Sequence, residues 1–197
     1  MSRPEPRPVS WHELNRIRGR AVATATGTVL EVGAGSGDNF AHFAHDVTWI
    51  GLEPHAKSRA ALERTAHALG HDRPVLAATA ERIPLADATV DAVVATFVMC
   101  SVDDVAQALR EFRRVLVPGG LLVLVDHVAA PAGTGTRLLQ NFVSPVSRRV
   151  DKGCRWNRDI TPEVERAGFS GMSVERYRMA ALGGLLAVPC AVHMAHS

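Results

Sequence analysis

Three glycines at alternate positions, Gly33, Gly35 and Gly37, follow the apolar run that ends at Val32 in the segment VLEVGAGSGDNF. Glycine is required where the backbone takes a positive φ or approaches a ligand too closely for a Cβ. A buried strand, a glycine turn and a following helix N-terminus form a niche of nucleotide size at the carboxyl edge of a sheet. Glu53 closes a second strand-like run, VTWIGLE, twenty positions after Gly33. A carboxylate at that distance can accept two hydrogen bonds from the hydroxyls of a ribose laid across the edge. The dinucleotide fingerprint G-x-G-x-x-G counted from Gly33 would need a final glycine where Asp38 stands, and the tract here is E-x-G-x-G-x-G instead. That displacement argues against a nicotinamide-dependent oxidoreductase.

Other residues of chemical interest lie at predicted strand ends. His127 ends the run LLVLVDH and is the candidate acid or base, whereas its neighbour Asp126 faces the opposite side of a regular strand. Cys100 follows the apolar run Asp91–Phe97 and either lines a pocket or fills space as a small apolar side chain. Arg155, Trp156 and Asn157 occupy a segment suited to covering a substrate, with Trp156 offering a flat apolar wall. His12, His42 and His55 read as helix-surface residues. Cys100, Cys154 and Cys190 are widely spaced and contain no C-x-x-C, so the spacing indicates neither a disulfide framework nor zinc.

The elements that must position these residues alternate. Helical periodicity is expected from Trp11 to about Ala25 behind the capping-box spacing Ser10-x-x-Glu13, and from Pro54 to Gly70 with Ala60, Ala61, Leu62 and Leu69 inward. Further helices are expected from Asp103 to Arg114, over 137–150, and from Thr161 to Ala167, with a short one over 38–45. Between them lie seven expected strands, ending at Val32 and Glu53, then Pro74–Ala78, Asp91–Phe97, Leu121–His127, Met172–Tyr177 and Pro189–Ala195. Such alternation is the signature of a parallel sheet with helices on both faces, and the short link before the last strand suggests a terminal hairpin. Residues 1–10, with prolines at positions 4, 6 and 8, are expected to form a flexible arm before a single domain over 11–197.

The chain of 197 residues is 47% apolar and 21% charged with a net charge of +2, an ordinary composition for one folded domain. It shows no basic stripe for a nucleic acid, and no signal peptide or apolar run of membrane-spanning length. A soluble, cytoplasmic protein acting on a small molecule is the expectation.

From Val29 to Val128 the chain resembles the class I S-adenosylmethionine methyltransferases through EVGAGSGDN, GLEP, AERIPLADATVDAVV and LREFRRVLVPGGLLVLVDHV. The blocks FVMCSVDD, VDHVAAP and DKGCRWNRDITPEVERAGFS resemble the alkyl-thiol methyltransferase branch, with quinone-pathway C-methyltransferases and phosphatidylethanolamine N-methyltransferases also related. The resemblance implies a Rossmann-like α/β fold with a seven-stranded sheet in the order 3-2-1-4-5-7-6, strand seven antiparallel. It implies S-adenosylmethionine as cofactor, no metal, and contacts from Glu31, Gly33, Ala34, Gly35, Gly37, Asn39, Glu53, Pro54, Thr79, Ala80, Glu81, Thr96 and Phe97. The acceptor would meet Cys100, Arg155 and Trp156, with His127 as catalytic group. A thiol is the leading acceptor; O-, N- or C-methylation, or cofactor binding without turnover, are the alternatives. Two departures stand out. Family members commonly carry an acid where Thr79 stands, and the animal thiol enzymes carry an amino-terminal membrane anchor where this chain has its proline-rich arm.

Overall fold

A computed structural model of the chain describes residues 6–150, 153–181 and 186–197. Its strands are β1 (Arg7–Val9), β2 (Thr28–Val32), β3 (Thr48–Leu52), β4 (Val90–Thr96), β5 (Leu116–His127), β6 (Ser170–Ala181) and β7 (Leu186–His196). They form one seven-stranded sheet in the order β1-β6-β7-β5-β4-β2-β3. β2, β3, β4 and β5 pair in parallel, and β7 runs antiparallel to both β5 and β6. The expected order and the antiparallel last strand are therefore observed.

Two edges differ from expectation. Pro74–Ala78 contributes only a single bridge, Leu52 to Leu76, because Pro74 has no N–H to donate and Ala77 and Ala78 bring little side chain to pack. At the opposite edge Arg7–Val9, expected within a flexible arm over 1–10, pairs in parallel with Tyr177–Met179 of β6. Prolines exclude a helix there but are compatible with an edge strand, and Arg7 lies over the Tyr177 ring at 5.5 Å. Residues 1–5 lie outside the described residues.

The central strands are buried on both faces, as parallel strands between helix layers must be. Alternate residues serve two cores. Leu30, Val93, Leu122 and Leu124 pack with Leu109 and Phe112 of α3 (Val105–Val115). Val29, Trp49, Val94 and Val123 pack with Leu14 and Ile17 of α1 (Trp11–Val22). Ser10 caps α1 by accepting from Glu13 N at 3.1 Å, but the Glu13 carboxylate turns to Arg7 instead of completing the box. α2 (Ala56–Ala68) starts after Pro54 and buries Leu62 and Ala66, while Ala60 and Leu69 are exposed. The expected helix over 38–45 shrinks to a 3-10 turn at Phe40–His42. α4 (Gly135–Val150) contains Pro145, and α5 (Thr161–Arg166) is short. Among the described residues no helix is long and apolar enough to cross a membrane.

Candidate functional site

The turn after β2 is held at the carboxyl edge by Gly33 N, which donates to Leu52 O at 2.7 Å. Gly33 has φ +64°, and a Cβ there would meet Val98 at 2.5 Å. Gly35, at φ +59°, has nothing within 4 Å of where its Cβ would stand except the Gly33 carbonyl at 4.0 Å. The turn is thus packed beneath Gly33 and open above Gly35. Gly35 N donates to the Glu53 carboxylate at 3.0 Å, and His55 N donates to the same group at 2.9 Å. His55 Nδ1 also lies 3.1 Å from the oxygen that His55 N bonds, so three contacts hold a 4%-exposed carboxylate beside the open side of the turn, and of its roughly four lone-pair sites about one stays open.

Glu31 lies below this turn. It is buried and accepts from Asn39 Nδ2 and Trp49 Nε1, both at 2.8 Å. Burial pushes its carboxyl up from 4.5 to about 7, against the lowering effect of those two donors. Asn39 also donates to Thr96 Oγ1 at 2.9 Å, which ties the turn to β4.

Above the edge is a cavity of about 410 Å³ lined by Gly33, Gly35, Glu53, Pro54, Thr79, Ala80, Glu81 and Phe97. Glu31, Ala34, Gly37, Asn39 and Thr96, anticipated as cofactor contacts, are not among its lining residues. Glu31, Asn39 and Thr96 shape it from underneath. Leu52, His55, Val98, Ser101, Val102 and Asp103 line it as well and were missed; the FVMCSVDD block contained four of them. Glu81 is occupied on one side, accepting from Asp103 N at 3.0 Å. Phe97 takes φ +58°, a costly conformation for a bulky residue and one that gathers at functional sites. Its ring stands 5.9 Å from Trp11 and 5.0 Å from His127. A buried acceptor beside a bare glycine turn, with apolar walls, fits a nucleoside cofactor.

On the other side of Phe97, His127 packs against Trp156 with ring centroids 6.0 Å apart. Cys154 Sγ donates to Cys100 Sγ at 3.3 Å and lies 3.9 Å from His127 Nδ1. The bond from Cys154, followed by burial, pushes the Cys100 thiol far above its ordinary range. Asp126 is fully buried and accepts from Cys100 N at 3.3 Å. Arg155 pairs with Asp103 at 2.6 Å, and Arg158 donates to the carbonyls of Met99 and Val102. These arginines fasten the 153–158 segment to the turn after β4.

A second cavity, of about 880 Å³, lies beyond the ends of β5 and β7, walled by Val128, Ala130, Pro131, Pro189 and Cys190 with Arg137 and Tyr177 at its sides. Neither cavity is lined by Cys100, Arg155 or Trp156, the residues expected to meet the acceptor. Cys100 is instead sealed in the core at 1% exposure, and Arg155 is spent on Asp103. Cys154 was not anticipated; it stands 54 positions from Cys100, and no local spacing could have joined them.

A family profile described as a methyltransferase domain matches residues 30–124. Thiol S-methyltransferase TMT1B of Homo sapiens is 34% identical over 166 residues, covering 82% of this chain and 68% of that protein. The chain belongs to the class I S-adenosylmethionine-dependent methyltransferases. TMT1A of Homo sapiens, also named a thiol S-methyltransferase, is 33% identical over 75% of this chain, which spans 62% of that protein. Among solved structures, the YcgJ protein of Bacillus subtilis superposes on the methyltransferase with a TM-score of 0.71 at 19% identity, covering 94% of this chain and 98% of its own. The [4+2]-cyclase SpnF superposes at 0.72 and 20% identity, covering 96% and 83%. At such identities the fold alone is shared, and a cyclase among the neighbours illustrates that this fold does not specify its reaction.

Proposed function

We propose that this methyltransferase methylates the sulfur of a small, largely apolar thiol. The observation that carries the reading is the match to the human thiol S-methyltransferase. Its 166 aligned residues cannot fit within residues 30–124, so they include segments on the acceptor side of the site.

Bound in the smaller cavity, S-adenosylmethionine supplies a methyl group already activated on a sulfonium. In our reading Glu53 accepts from the ribose, the Gly33–Gly35 turn receives the methionine part, and Thr79, Ala80 and Glu81 border the adenine. Phe97, at the junction of the two sides, directs the reacting carbon toward the acceptor. The chain's remaining tasks are to align the acceptor sulfur and exclude water. The larger cavity, mostly apolar, houses the acceptor's hydrocarbon part. As the new carbon–sulfur bond forms and the sulfonium bond breaks, the thiol proton passes to solvent. The three free cysteines, all buried, suit a reducing compartment, and we assign the enzyme to the cytoplasm.

The test is a panel of alkyl thiols, phenols, amines and carbon acids incubated with purified protein and S-adenosylmethionine, with methylated products read by mass spectrometry. Thioether formation is the expected result. Thiols that remain inert while an oxygen, nitrogen or carbon acceptor is methylated would overturn the thiol assignment. Cofactor retained without turnover on any acceptor would reduce the protein to a binder.

A further inference from the structure

Cys100, Cys154 and His127 reach one point from the turn after β4, the segment after α4 and the end of β5. Their two sulfur atoms and a ring nitrogen lie within 4.8 Å of one another. The Sγ–Sγ separation is 3.3 Å and Cys154 Sγ to His127 Nδ1 is 3.9 Å. Tetrahedral zinc, with bonds near 2.3 Å to sulfur and 2.0–2.1 Å to nitrogen, spaces such ligand atoms about 3.5–3.8 Å apart. The two measured separations bracket that spacing, so shifts of a few tenths of an ångström bring these atoms to coordination distances. Two thiols and an imidazole are soft donors that select zinc over calcium or magnesium.

We propose that Cys100, Cys154 and His127 form a three-ligand site for a thiophilic divalent cation, Zn²⁺, with the acceptor sulfur as fourth ligand. The last clause rests on the thiol reading; the metal site does not. Three protein ligands with one open position is the arrangement of catalytic zinc, whereas structural zinc is closed by four. The surroundings suit a held site. Asp126 accepts from Cys100 N, Arg155 N donates to Cys100 O at 2.9 Å, and Ser147 Oγ donates to Cys154 O at 2.9 Å. None of the three ligands lines either cavity, and the cluster adjoins both through its neighbours. Ser101, next to Cys100, lines the smaller cavity, and Cys190, paired with His127 across β5 and β7, lines the larger one.

The ion answers a need of the thiol reaction. An alkyl thiol of pKa about 8.5 is only a few per cent ionised at neutral pH, and a thiol bound to zinc is deprotonated outright. On binding the ion, Cys100 and Cys154 each release a proton to solvent, and the acceptor thiol releases another when its sulfur takes the fourth position. No electron changes hands, and the metal keeps its charge.

The test is titration of the reduced, chelator-treated protein with Co²⁺ as a spectroscopic stand-in, followed by displacement with Zn²⁺. Expected are one ion per chain, a thiolate-to-cobalt charge-transfer band, and the intense visible bands of a tetrahedral ion. Cys100→Ser and Cys154→Ser, checked for folding by circular dichroism, should each weaken binding at least about 100-fold, while Cys190→Ser leaves it unchanged. Adding an alkyl thiol without S-adenosylmethionine should shift the visible bands. In the zinc-loaded enzyme, the dependence of initial rate on acceptor thiolate fraction should flatten relative to the metal-free protein. Absence of stoichiometric cobalt binding, or a Cys100–Cys154 disulfide in freshly purified protein in place of metal, would overturn the site. Cobalt bound with no response to thiol would overturn acceptor ligation. If metal binds but no thiol is methylated, the site stands and the thiol reading fails.

Discussion

Glu53 and Gly35 do opposite jobs at the same turn. The Glu53 carboxylate braces the turn through Gly35 N and His55 N, is also in reach of His55 Nδ1, and keeps about one lone-pair site for a ligand. Glu53→Ala should weaken S-adenosylmethionine binding by about 1.5–3 kcal/mol, the range for hydrogen bonds to a charged group; unchanged affinity by calorimetry would remove Glu53 from the site. Gly35 presents empty space, so its substitution has little to clash with inside the protein. Gly35→Val should abolish cofactor binding by filling the cavity. Its cost in stability should stay near the 1–3 kcal/mol or so of a strained positive φ, with the circular dichroism spectrum of the folded sheet retained. That these two residues meet at one strand edge was readable from residue type and spacing; the hold of Glu53 on Gly35 N and His55 N was not. Nor was the role of Glu31, because an acid two positions before a glycine turn looks the same whether it meets a ligand or, as here, Trp49 and Asn39.

At the scale of elements, the loop between Ile83 and Asp87 is held by two side chains of one helix. Arg114 of α3 donates to Ile83 O at 2.9 Å and Leu85 O at 2.8 Å, and pairs with Asp87 and with Glu111. Glu111 in turn accepts from Ile83 N at 2.8 Å. The arginine beside it holds the Glu111 carboxyl below its ordinary value. Arg114→Leu should destabilise the protein by about 1.5–3 kcal/mol, since it leaves two loop carbonyls without their charged donor; urea unfolding checks this. Helix and strand identities followed from period, but edges did not. Whether Arg7–Val9 extends the sheet is decided by Tyr177 and Met179, far away in sequence, and whether Pro74–Ala78 does so is decided by how few bonds Leu76 can make with Gly51 and Glu53.

Across the whole molecule, two buried titratable groups oppose each other. Burial raises Glu31 from 4.5 to about 7, so between those values the folded chain holds a proton that the unfolded chain has lost. Glu31 therefore makes stability fall as pH rises through that window, by at most about 1.4 kcal/mol per pH unit. His193 is buried against Arg176 and Thr161, and burial followed by the Arg176 charge lowers it from 6.5 to about 4. There the unfolded chain holds the extra proton, so stability rises with pH over that window. Urea unfolding at pH 5, 6, 7 and 8 should show wild type losing stability relative to Glu31→Gln as pH rises to about 7. It should gain relative to His193→Gln below about 6.5. Parallel curves for either pair would mean that the side chain titrates alike folded and unfolded.

The glycine turn and the acid after the second strand are local signals, whereas the strand order came from the family resemblance and the short link before the last strand. Strand period, backbone freedom at Gly33 and Gly35, and the reach from Gly33 to Glu53 are properties of contiguous chain. Folding added the meetings between distant residues. Cys100 and Cys154 are 54 positions apart, and His127 is 27 from Cys154, so neither a motif nor a period joins them. They meet because a parallel sheet brings the carboxyl ends of β4 and β5 to one edge, and Arg155 and Arg158 fasten the 153–158 segment over that edge.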